Sequence, residues 1–165
     1  MNLSIEHLID NATDYELCRA VFNGLDKKYG NKIDATIYTQ EARIVILADH
    51  ARGIIGNGGF RYLFEGDFPG DPGFRLTLEA FETIGVRRAV SAFKKALAAF
   101  PNSRPPTDIE TRIHFFIGIP YARRHKVDKE FWDADDEITQ KLAKYIRFRR
   151  RAFIDMNIPI ADKRT

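Results

Sequence analysis

The chain has one cysteine, one tryptophan and two methionines in 165 residues. A single thiol cannot close an internal disulfide, which excludes a disulfide-stapled scaffold and agrees with a reducing compartment. Within ELCRAVF, Cys18 reads as a small core residue rather than a reactive thiol. No apolar run approaches the roughly 18 residues that a spanning helix needs. The opening MNLSIEHLIDNATD is acidic and amphipathic, without the basic start and apolar stretch of a signal peptide, so a cytoplasmic protein with no membrane partner is expected. Strand signals are also missing. The best candidate, KIDATIY (32–38), alternates weakly and has no partner run.

Catalytic and metal-binding patterns are equally sparse. His7, His50, His114 and His125 are scattered, with no two at helical i, i+4 spacing, and there is no second cysteine. Glu110 and His114 have that spacing, but it is an ordinary surface pair on a helix. Glu65, Asp67 and Asp71 in EGDFPGDPG lack the alternating ligands and terminal Glu of a calcium loop; turn chemistry explains them better. Ser4, Ser91 and Ser103 have no local base and no nucleophile elbow. The acidic run Asp133, Asp135, Asp136 and Glu137 sits where a helix begins, which capping and the helix dipole account for. No catalytic, cofactor or metal residue is assigned, and a non-enzyme without a cofactor is expected.

What the chain does have is helical periodicity, and 44% hydrophobic content allows a sizeable core. TDYELCRAVFNGLDKKYG has an N-cap at Thr13, acids in its first turn, an apolar face of Cys18, Val21, Phe22 and Leu25, and Gly30 as its stop. Residues 39–55 carry so wide an apolar arc, with Thr39 as cap and Gly56 as stop, that they predict a central helix. Residues 72–84 and 86–100 predict a helical hairpin jointed at Gly85. Thr107 and Glu110 form a capping box for a helix to about Phe116. GIPYARRHK reads as a loop, and 128–155 as one last helical region with Ile138, Leu142, Tyr145, Ile146 and Phe153 facing inward. Trp132, at the start of that region, reads as an anchor against the core, the alternative being an exposed partner contact. The whole, 1–165, is expected to be a single compact all-α domain of many helices.

One stretch stands apart. In GIIGNGGFRYLFEG (53–66), four glycines are followed by Phe60, Tyr62 and Phe64. A dinucleotide fingerprint would need a strand before the glycines, and a phosphate loop would need a following Lys-Ser/Thr; neither is present. The stretch reads as a corner. Gly56 closes the helix, Asn57 and Gly58 supply positive φ, and Gly59 lets the backbone approach a neighbour. The aromatics wedge inward, with the Tyr62 hydroxyl at the surface. His50, about two turns upstream, could share a cleft with Asn57 and Tyr62, which is the only route to an enzyme of unrecognised type.

The net charge of +3 is uneven: residues 141–165 hold eight Lys/Arg against two Asp, while 1–140 hold eighteen against twenty-one Asp/Glu. KYIRFRRRAF interleaves cations with aromatics, so Lys144, Arg147, Arg149, Arg150 and Arg151 are candidates for contacting a nucleic acid or another anion.

Over about residues 14–150 the sequence resembles a bacterial family of small helical domains that includes a DNA-mimic protein. The resemblance rests on RIVILADHARGIIGNGGFRYLFEG, LEAFETIGVRRAVSAFKKALAAFP and DKEFWDADDEITQKLAKYIR, with Asn57, Gly58, Gly59 and Phe60 as its most specific part. It implies an all-helical fold and supplies no catalytic set. A DNA mimic is strongly acidic, whereas this chain has a pI near 9.0, so mimicry is not carried over. The leading expectation is a non-enzymatic protein-interaction module, possible as a homodimer; binding of nucleic acid or another anion through the basic C-terminal helix, Lys144 to Arg151, is the alternative, the basic tail being 147–165.

Overall fold

The structure, a computed structural model, describes residues 4–160, so the last residues of the basic tail (161–165) lie outside the described residues. Nine α-helices and no strand are found among them: α1 (Ile5–Asn11), α2 (Asp14–Lys28), α3 (Gln40–Glu65), α4 (Arg75–Ile84), α5 (Arg87–Leu97), α6 (Ile109–Ile117), α7 (Tyr121–Trp132), α8 (Asp135–Phe148) and α9 (Arg150–Asp155). A short 3-10 turn, Pro101–Ser103, follows α5.

Local chemistry sets most boundaries. Thr13 accepts from the Glu16 N–H while the Glu16 carboxylate takes the Thr13 N–H, a reciprocal capping box. Thr39 caps α3 through the Ala42 N–H. Gly85 adopts φ 79 between α4 and α5, as the hairpin joint requires. The start of α4 is held by Asp71, which is buried and accepts from the Leu76 and Thr77 N–H groups at 2.9 and 2.8 Å and from the Thr77 hydroxyl.

Central helix α3 packs against α2, α4, α6, α7 and α8. Ile44, Val45, Ile46, Leu47, Ala48, Ala51 and Ile55 are buried along its first half. Its second half carries the hub of an aromatic core. Phe60 meets Phe93 and Phe131 edge-on at 5.4 and 5.5 Å, and Phe64 meets Phe74, Phe100 and Phe116 at 5.3, 4.9 and 5.0 Å. Edge-to-face pairs of this kind add about 0.5–1.5 kcal/mol each beyond the area they bury.

Boundaries differ from the sequence expectation in several places. Asp108, not Thr107, caps α6, because its carboxylate reaches the Thr111 N–H at 2.7 Å. YARRHK is helical, since Pro120 opens α7; with Phe131 the only buried residue of that helix, there was no apolar stripe to reveal it. The single region 128–155 is three helices, broken at Asp133–Ala134 and at Arg149. Trp132 therefore ends a helix rather than starting one.

Candidate functional site

The glycine-rich stretch is a kink inside α3, not its end. Gly56 lies within the helix with open space beside its Cα, and the chain breaks only at Gly58 (φ −155°, ψ 19°) and Gly59 (φ 71°, ψ −171°). Positive φ thus belongs to Gly59 alone, not to Asn57 and Gly58. Gly58 is required for another reason: a Cβ there would lie 2.2–2.4 Å from the Tyr62 ring, which folds back over it. Gly59 combines both demands. Its φ/ψ is accessible essentially only to glycine, and an added Cβ would meet the Asp128 carboxylate at 2.5 Å.

Helix α7 repairs the break from outside. In an unbroken helix the Ile55 carbonyl would accept from Gly59 and the Phe60 N–H would donate to Gly56. Here the Trp132 indole N–H donates to the Ile55 carbonyl at 2.7 Å, and the Phe60 N–H donates to Asp128 Oδ1 at 2.8 Å. Asp128 and Trp132 sit one turn apart on α7, so one helix face serves both ends of the kink. Burial pushes the Asp128 carboxyl above its ordinary value, opposed by the Phe60 N–H and by His125 and Arg124 nearby. The result sends Phe60 and Phe64 inward and leaves Asn57 and Tyr62 exposed.

Around this joint lies an unusual surface. Arg112 is the inward residue of α6, 2% exposed, donating to the Phe64 and Gly66 carbonyls at 2.7 and 2.6 Å and lying over the Phe74 ring. It clamps the end of α3, where free carbonyls and the helix dipole favour a cation. With Arg112 and Phe116 the only buried residues of α6, Phe115 and Ile117 are left 41% and 46% exposed. Tyr121, four residues on, is 69% exposed; it stacks on His125, which meets the half-exposed Trp132 edge-on.

The other sequence candidates have these positions. His50 is half-buried against the Phe68 ring at 5.7 Å, with its pKa lowered by burial. Cys18 is buried, its thiol pushed up to about 12 by burial and directed at the Thr139 carbonyl. In the C-terminal segment, Arg147 donates to the Ile9 and Ala12 carbonyls and to Asp14, and Arg150 pairs with Asp10. Those two arginines strap α8 and α9 to the N-terminal helices. Lys144, Arg149 and Arg151 remain exposed, Arg149 over the ring of Phe148, which is 80% exposed. Among the described residues no group of three His, Cys, Asp or Glu could hold a metal ion, and no helix is long and apolar enough to cross a membrane.

Sequence reasoning missed Asp128, Arg112 and the cavities beside α5. One, about 820 Å³, lies between the loop before α4, the end of α5 and residues 102–107; Leu76, Leu97 and Pro105 line it with Arg75, Lys94 and Arg104. Asn102 and Ser103 on its wall both adopt left-handed φ near 54°. Neither His50, Asn57 nor Tyr62 lines it.

These features define an all-helical domain built on a kinked central helix whose break is capped from another helix. The chain belongs to the DMP19-like protein family, whose model matches residues 36–149 and so spans the kink and both residues that cap it. No curated protein and no solved structure matches the chain.

Proposed function

We propose that this domain is a non-enzymatic protein-interaction module and that its docking face is formed by α6 and α7. The observation that carries the reading is the inverted orientation of α6: its arginine is buried while Phe115 and Ile117 face outward beside Tyr121. Clustered exposed apolar side chains mark interaction surfaces, and aromatics are enriched there. The partner is another protein, a second copy of this chain being one form of it.

DNA mimicry is not part of the proposal. In the acidic run at the junction of α7 and α8, Asp133 is paired with Lys129 at 2.9 Å and Asp135 with Arg52 at 3.1 Å, which leaves Asp136 and Glu137 as a small negative patch on a chain of net charge +3. A polyanion substitute needs far more.

The test combines sedimentation of the purified protein with cross-linking in native cells, for wild type and the Phe115→Glu/Ile117→Glu variant. A self-association or stoichiometric partner present for wild type and lost in the variant, with helicity unchanged, is expected. A monomer that repeatedly yields no partner, or a partner indifferent to the variant, overturns the reading.

A further inference from the structure

The interaction reading leaves open what kind of partner fits, and the surface beside α6 carries that information. Two adjoining cavities of about 170 and 340 Å³ run between the C-terminal end of α5 and helix α7. Both are lined by Lys95, Ala98, Arg123 and Val127, so they form one groove. Ala99, Phe116 and Ile119 extend its floor. The floor is therefore methyl and ring surface, and the rim is cationic.

Its charge is one-sided. Glu130 is the only carboxylate lining the groove, and it is already neutralised: Lys95 bonds both its oxygens at 2.9 and 2.7 Å, and the Ser91 hydroxyl donates to it at 2.7 Å. Arg124 is held by the Ile119 carbonyl and lies over the Phe116 and Tyr121 rings. Arg123 and Lys126, in contrast, have no ion-pair partner among the described residues. On the far side of α5 the larger cleft is lined by Arg75, Lys94 and Arg104, of which Arg75 is paired with Glu79 and Lys94 with Glu82, and its one carboxylate, Asp71, is consumed in capping α4. What sets Arg123 and Lys126 apart from the open cations of the C-terminal helix, Lys144 and Arg149, is the apolar floor beside them.

We infer that the α5–α7 groove receives an acidic, amphipathic segment of a partner protein: apolar side chains enter over Ala98 and Val127, and carboxylates meet Arg123 and Lys126. Charge complementarity selects the sign of the partner, and the apolar floor selects its class. A phosphate backbone would use the rim but gain nothing from the floor, whereas an amphipathic peptide uses both. The inference rests on the proposed interaction role and assigns the partner's chemistry.

Fluorescence anisotropy on the full chain tests it, with four dye-labelled probes. These are a synthetic peptide with Glu and Leu at helical spacing, the same peptide with every Glu replaced by Lys, the same with every Leu replaced by Ser, and a mixed-sequence DNA duplex. The Glu–Leu peptide should bind best and lose affinity with salt. Ala98→Phe, which fills the groove, and Arg123→Glu/Lys126→Glu, at exposed positions outside any ion pair, should each weaken it about tenfold. Should Ala98→Phe prove unfolded by circular dichroism, the charge reversal together with the Leu→Ser peptide decides. DNA or the Leu→Ser peptide binding as tightly as the Glu–Leu peptide would make the surface a generic anion site and overturn the inference, as would no peptide binding or binding indifferent to the folded variants. The Phe115→Glu/Ile117→Glu variant, run alongside on the native partner, separates the two readings: peptide failure with that partner still lost in the α6 variant removes the groove assignment alone.

Discussion

Replacing Gly59 with alanine puts the capped kink to its most direct test. Two costs arise at one atom. The backbone at φ 71°, ψ −171° is a glycine-only conformation, and holding an L-residue there costs about 1–3 kcal/mol. The new methyl would also sit 2.5 Å from the Asp128 carboxylate. Asp128 must then withdraw, leaving the Phe60 N–H, now bonded at 2.8 Å, without its acceptor. An orphaned buried donor costs about 1–3 kcal/mol. The sum is about 2–6 kcal/mol, a large share of the ~5–15 kcal/mol that stabilises a domain. At about 2–4 °C per kcal/mol for a chain of this size, the melting midpoint should fall by roughly 4–24 °C. Urea denaturation followed by circular dichroism measures it. The companion is a double-mutant cycle: once Asp128→Ala has removed both clash and acceptor, Gly59→Ala should cost only its backbone strain, giving a coupling of about 1–3 kcal/mol. Gly59→Ala costing under about 1 kcal/mol, or two effects that simply add, would refute the account of the kink.

Other expectations are simpler. Gly56→Ala lies in a helical stretch with open space beside it and should stabilise the fold by about 0.5–1 kcal/mol in the same denaturation assay. Arg112→Met leaves the Phe64 and Gly66 carbonyls without their donor and should cost about 2–4 kcal/mol by urea denaturation, despite the better hydrophobicity of methionine. Because the folded Asp128 carboxyl titrates above its ordinary 3.8, the native state holds that proton more tightly than the unfolded chain; this contribution is fully present below that value and is lost as pH rises through the raised one. Asp128→Asn removes that dependence, so the stability of wild type relative to Asp128→Asn should fall with rising pH across that window, and a flat difference would refute the assignment. Cys18, buried with its thiol pushed up to about 12, should resist alkylation by iodoacetamide in the native state and react on unfolding; rapid native labelling at neutral pH would contradict it.

What could be read from the chain alone was what nearest neighbours determine. The Thr13–Glu16 box, the Thr39 cap and the Gly85 joint depend on residues within a turn of each other, and the apolar arc of 39–55 marks a central helix whatever surrounds it. The kink was legible as glycine but not as geometry. Gly56 is as permissive as Gly59, and what marks the second position is the approach of Asp128 to the Phe60 N–H, 68 residues apart in the chain. The first half of α7 was read as a loop because a helix that contributes caps and charges, burying only Phe131, leaves no periodic apolar signal. Arg112 was missed for the opposite reason: periodicity assumes that charge faces water, and here the carbonyls of Phe64 and Gly66 at the end of α3 outweigh that preference. The C-terminal arginines were legible as basic, but their carboxylates, Asp10 and Asp14, lie at the other end of the chain.

The double repair of the kink has a further consequence for molecular recognition. Because Asp128 and Trp132 are both engaged by α3, α7 cannot shift or fray without exposing broken backbone in the central helix. The side chains it offers outward, from Tyr121 to Trp132, are thus mounted on a fixed platform before any partner arrives. A ligand of that face would order little of the protein's own backbone, so a larger part of the contact energy remains available as affinity. The glycines that interrupt one helix thereby set the rigidity of another.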